Sequence, residues 1–159
     1  MGKKAKLVIE NTDGSKTEDG LQIGFNIQQM SDRVRNVLKS IGLVNNFADI
    51  VYVIGHGASS INNTHYAGYD CGACSGRPGS VNARVFSYMA NHPEVRKKLK
   101  EEGVLIPDTT QFVGALHDTT RDEISFYDEE SLNDKNTLSH LKNMDAFKIA
   151  LDINAKERS

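Results

Sequence analysis

Several things are missing from this chain of 159 residues, and each absence removes a class of function. No apolar run approaches the roughly 18–20 residues that span a bilayer, so a membrane role requires a partner. No signal peptide opens the sequence. Cys71 and Cys74 are the only cysteines, too few for a disulfide framework, which points to a reducing compartment. Net charge is −2, and no basic face is dense enough to engage nucleic acid. Lys97, Lys98 and Lys100 form only a small solvated helix cluster. There is no P-loop and no dinucleotide fingerprint. Gly55-His56-Gly57 after a strand has the look of a hydrolase oxyanion turn, but no Gly-x-Ser-x-Gly elbow supplies the nucleophile. No internal repeat or low-complexity linker interrupts the chain.

What is present fits a folded α/β protein. Hydrophobic residues make up 38% and charged residues 25%, a globular rather than disordered balance. The length suits a single domain, 1–159, with a polar segment over 1–20, a core over 24–128 and a helix over 132–159. Asn26 and Gln29 form a capping-box pattern before a helix carrying Ile27, Met30, Val34, Val37, Leu38 and Ile41, and Gly42 stops it. Asp49 to Ile54 is short, β-branched and apolar on both faces, the pattern of an interior parallel strand. Val81 to Asn91 predicts a helix with Val81, Val85 and Met89 in one stripe. Pro93 opens another that Gly103 ends. Gln111 to Leu116 predicts a second buried strand, and Ile124 to Tyr127 a further one. The last helix places Leu138, Leu141, Met144, Phe147 and Leu151 on one side. The expected fold is a parallel-sheet core flanked by helices.

The chemistry concentrates after the first strand. His56 stands between two glycines at its carboxyl end, where open α/β sheets build sites. A loop rich in Gly, Ser and Asn then carries His65, Asp70, Cys71 and Cys74. Imidazole and thiolate are zinc ligands, and His56 with Cys71 is the first pair to choose. Gly72 allows close approach to an ion, and Asp70 can orient a ligand. Three rival readings stay open. His65 and Cys74 can join the pair in a closed structural zinc site, Cys71-x-x-Cys74 can be a redox pair, and each residue can serve hydrogen bonding alone. At the second strand's end His117-Asp118 can line the same crevice, and Arg77 or Arg84 can hold an anion such as bicarbonate. His92 and His140 read as surface or capping residues.

These residues carry a resemblance. Gly55-His56-Gly57-Ala58-Ser59-Ser60, Asn62-Asn63, Asp70-Cys71-Gly72-Ala73-Cys74, Gly76, Asn82-Ala83-Arg84, Ile106-Pro107-Asp108-Thr109 and Ala115 through Glu123 resemble the DabA-type subunit of bacterial inorganic carbon transporters. That family resembles β-carbonic anhydrases, whose zinc ligands come from a Cys-x-Asp-x-Arg strand, a later strand-Gly-His and a Cys-Gly. The resemblance implies that His56 is the histidine ligand and Cys71 the second cysteine ligand, with Cys74 at no ligand position. Asp70, His117 and Arg84 remain candidates for the surrounding pocket. It also implies carbon dioxide and bicarbonate as reactants, a cytoplasmic location, and an integral-membrane, cation-transporting partner that holds the protein on the inner face of the cell membrane. No Cys-x-Asp-x-Arg occurs here and family members are several times longer, so the chain reads as a fragment holding the later half of a zinc site. Alone it is expected to be inactive.

Overall fold

The computed structural model describes residue 7 and residues 9–59 and 70–157. They cluster into two compact units, drawn from Met1–Phe47 with Tyr88–Pro107 and from Ala48–Ser87 with Asp108–Ser159.

The first unit begins with a two-residue hairpin, β1 (Thr17–Glu18) and β2 (Leu21–Gln22). Its base is held by the buried Asn11, whose amide donates to the carbonyls of Lys16 at 2.9 Å and Ile23 at 2.7 Å and accepts from Lys16 N. α1 (Ile27–Ser40) starts with the expected capping box: Asn26 Oδ1 accepts from Gln29 N, and Gln29 Oε1 accepts from Asn26 N. Met30, Val34 and Leu38 are buried, whereas Val37 and Ile41, expected in the same stripe, are exposed. The buried face is therefore narrower than the apolar pattern.

α1 packs against α3 (Pro93–Glu101), which buries Val95 and Leu99. Both helices end in the same device. Leu43 N returns to Leu38 O and Gly42 N to Lys39 O; Val104 N returns to Leu99 O and Gly103 N to Lys100 O. Each is a Schellman closure requiring left-handed backbone, and Gly42 (φ 74°) and Gly103 (φ 83°) supply it.

The second unit is built on β3 (Ile50–Gly57), β4 (Gln111–Asp118) and β5 (Glu123–Phe126), in that order. β3 and β4 are parallel, but β5 returns antiparallel, so the sheet is mixed rather than wholly parallel. The connection 119–122 is too short for a crossover, which a parallel third strand would need.

Side chains alternate along a strand, so Gly55, Gly57, Phe112, Gly114 and Leu116 share one face. α2 (Ser80–Asn91) packs there: a Cβ on Gly114 would lie 2.9 Å from Arg84 Cα, and Phe86 meets Phe112 edge-on. Val81, expected in that helix's stripe, is exposed.

The opposite face carries Tyr52, His56, Ala115 and His117 and receives α4 (Asp134–Glu157). The expected stripe is not what seats this helix. Leu138 is 65% and Leu141 56% exposed, while Asn136 and His140 are buried. The Asn136 amide reaches Thr109 O at 3.0 Å, Asp49 O at 3.2 Å and Gln111 Oε1 at 3.0 Å. His140 Nδ1 lies 2.9 Å from the Tyr52 hydroxyl and its Nε2 3.2 Å from Glu129 Oε2. His140 is thus neither a surface nor a capping residue. Phe147 stacks edge-on against Tyr52, with Phe126 beside both. Burial pushes the Tyr52 hydroxyl above its ordinary pKa, the Asn143 hydrogen bond opposes this, and the nearby Glu129 charge adds to it.

Candidate functional site

The exit of β3 is shaped by close backbone approach. A Cβ on Gly55 would lie 2.5 Å from the carbonyl carbon and oxygen of Gly79, so only glycine fits. One on Gly57 would lie 2.8 Å from Leu116 Cδ1. Between these glycines stands His56, its ring on the face that also carries His117, its register partner on β4.

The segment after the loop is pinned back to this exit at two points, His56 itself and Ala58. Gly79 N donates to His56 O at 2.7 Å. Ala58 N donates to Oδ1 of the buried Asp70 at 2.8 Å. Cys71 follows Asp70 directly and pairs with Arg77 in an isolated antiparallel bridge. Cys74 N and Gly76 N both close onto Cys71 O, winding a single 3₁₀ turn over Gly72–Cys74. Both thiols are free. A hydrogen bond with Cys71 and partial burial push the Cys74 thiol up, against an opposing bond from Asn82 Nδ2 at 3.3 Å.

The end of β4 is stitched to the same place. Thr119 N donates to Gly57 O at 3.0 Å. Asp118 Oδ1 accepts from Ser59 N at 3.2 Å, Thr120 N at 3.1 Å and Thr120 Oγ1 at 2.7 Å. Burial alone would raise this carboxyl; the Ser59 and Thr120 hydrogen bonds outweigh it and hold Asp118 below the usual carboxylate range.

Two buried polar atoms here, Asp70 Oδ2 and His117 Nε2, have no hydrogen-bond partner among the described residues. Such atoms are rarely left orphaned. Arg84 is differently placed. Its Nε and Nη2 grip Asp128 at 2.9 and 2.8 Å and its guanidinium lies 5.2 Å from the Tyr127 ring centre; the Asp128 bond raises its pKa. His65 lies outside the described residues, as do Ser60, Asn62 and Asn63. Among the described residues no group of three or more His, Cys, Asp or Glu side chains is arranged to hold a metal.

Gly79, Asp128 and the Tyr52–His140–Glu129 chain were not singled out by sequence. Gly79 had a signal, a Pro-Gly-Ser turn ahead of a helix, but the approach to Gly55 is a long-range contact without one.

A family model described as "Probable inorganic carbon transporter subunit DabA" matches residues 2–159. The chain belongs to the DabA family. A DabA protein of Nitrosospira multiformis is 61% identical over 162 residues, covering 100% of this chain and 18% of the relative. One from Azotobacter vinelandii is 60% identical over 159 residues, covering 100% of this chain and 19% of the relative. Both are named "Probable inorganic carbon transporter subunit DabA". The chain therefore spans about a fifth of the length of these DabA relatives. No solved structure matches it.

Proposed function

We propose that this chain is the part of an inorganic carbon uptake subunit that contributes two ligands, His56 and Cys71, to a zinc site of the β-carbonic-anhydrase kind. The names of the relatives support the transport role. The observation that carries the site is the double pinning of 70–79 around His56, through Gly79 on His56 O and Asp70 on Ala58 N. An imidazole and a thiol suit zinc, and Asp70, next to Cys71 in sequence, and His117, the register partner of His56, each carry a buried polar atom without a partner among the described residues.

Two donors are fewer than the three protein ligands of a catalytic zinc, so the remainder belongs to other parts of the full-length protein. Zinc held there would supply a water whose pKa falls from about 15.7 toward about 7, the chemistry that carbon dioxide hydration needs. This chain's residues hold the frame. Gly55 and Gly57 let the backbone turn, Asp70 fixes Ala58 N, and Asp118 ties the two strand ends together. Bicarbonate is the product, passed on through an integral-membrane, cation-transporting partner, with this subunit on the inner face of the membrane. Among the described residues no helix is long and apolar enough to cross a membrane.

The test is metal content in the full-length protein. Cys71→Ala and His56→Ala should each lose zinc and carbon dioxide hydration together. Full zinc in both variants would remove these residues from the site. Full zinc loss with unchanged hydration and uptake would instead favour a structural, non-catalytic zinc. A reversible Cys71–Cys74 disulfide, read by mass spectrometry of the oxidised and reduced chain, would instead favour a thiol redox module.

A further inference from the structure

β3 has the sequence of an interior strand but lies at the edge of its sheet among the described residues. Ile50-Val51-Tyr52-Val53-Ile54 carries no charge and no proline, and the strand runs eight residues. Exposed edges are normally kept short or guarded by lysine, proline or a bulge. Ile54 is nonetheless 41% exposed.

The backbone shows which groups are available. Asp49 O and Gly57 O both accept from the β4 side, from Gln111 N and Thr119 N. His56 O points the other way, to Gly79 N. Because backbone groups alternate in direction along a strand, Ile50, Tyr52 and Ile54 direct their N–H and C=O away from β4. Gly79 closes the ladder at the His56 end, and none of the described residues takes up the backbone groups of Tyr52 or Ile54. Such a row of outward backbone donors and acceptors on an uncharged strand is a ready template for pairing with another strand.

We propose that the outer edge of β3 is an interface that receives a further apolar strand from the rest of the full-length DabA protein. The relatives are about five times as long as this chain, which supplies ample polypeptide to reach it. An uncharged, β-branched edge selects an occupant of the same kind, since a charged strand would be desolvated against Val51, Val53 and Ile54 without a counter-charge. The surface starts at Ile50 and stops at Ile54, because Gly79 occupies the next outward position. The inference does not rest on the metal reading and uses no ligand residue.

Two measurements on the full-length protein test it. In residue-resolved amide exchange, Tyr52 and Ile54 should be as protected as Val51 and Val53; exchange about 100-fold faster at Tyr52 and Ile54 would overturn the proposal. A photo-reactive amino acid in place of Ile54 should cross-link to a peptide of the same polypeptide outside these 159 residues. A link to a second copy, to another protein, or only to peptides within this chain would overturn it. Zinc content measured on the same samples separates the two proposals: protected amides with no zinc would sink the metal site alone, and bound zinc with unprotected amides would sink the strand alone.

Discussion

At the scale of single residues, the clearest determinant is Asp118. Its carboxylate takes two backbone N–H groups and a hydroxyl, so Asp118→Ala removes the acceptor of three hydrogen bonds, one part-buried and two exposed, and should lower unfolding free energy by about 0.5–1.5 kcal/mol in urea titration. The sign with pH follows. Its folded-state pKa is depressed, so the stabilisation is present above the ordinary carboxylate pKa of about 3.9 and is lost as pH falls toward the folded value. Wild-type urea midpoints should therefore fall between about pH 5 and pH 2 more steeply than those of Asp118→Asn.

Tyr88 works in the other direction. Burial and the hydrogen bond to Glu10 push its phenol up to about 12. Its stabilisation is full below the free tyrosine pKa of about 10 and disappears as pH rises through the folded value. Tyr88→Phe should remove that alkaline component, seen as a flatter midpoint-against-pH curve above about pH 10.

At the scale of elements, the ends of β3 and α4 carry the specific contacts. Gly55→Ala forces a methyl into the Gly79 backbone, which cannot move aside like a flexible side chain. Overpacking of this kind should cost about 1–3 kcal/mol or more, measured as a lowered midpoint, and should weaken any metal held near His56. His140→Leu keeps bulk but strips the Tyr52 hydroxyl and Glu129 of their partner. That should cost about 1–3 kcal/mol, with the Asn143 bond to Tyr52 limiting the loss.

How much of this was legible depends on the range of the interaction. Local chemistry read correctly: the Asn26–Gln29 box, the Gly42 and Gly103 stops and Pro93 are set by neighbours within a few residues, whereas the strand expected to end at Ile54 runs on through Gly57. Side-chain destination read less well. Val37, Ile41, Val81, Leu138 and Leu141 obey helical periodicity yet are exposed, because periodicity marks a face and not what covers it. His140 and Arg84 were misjudged or left open because their partners, Tyr52 and Asp128, lie 88 and 44 residues away. The third strand's direction followed from loop length, a signal that was there to be read.

At the scale of the whole molecule, family membership extends over nearly all of the chain, while the chain extends over about a fifth of its relatives. On the proposed reading His56 and Cys71 supply only part of a zinc site, the rest coming from other parts of the full-length protein. Isothermal titration of this chain with zinc should therefore give binding at least about 100-fold weaker than that of the full-length protein, because affinity follows the number and placement of ligands.

The seating of α4 has a mechanical consequence. A helix laid on a sheet through aliphatic contact alone can slip along its axis by one turn, about 5.4 Å, and find a similar bed. Here such a slip would pull the Asn136 amide off three oxygens and carry His140 past Tyr52 at once. The two polar side chains act as a key cut for one notch, so α4 has a single berth while its aliphatic row at Leu138 and Leu141 looks outward.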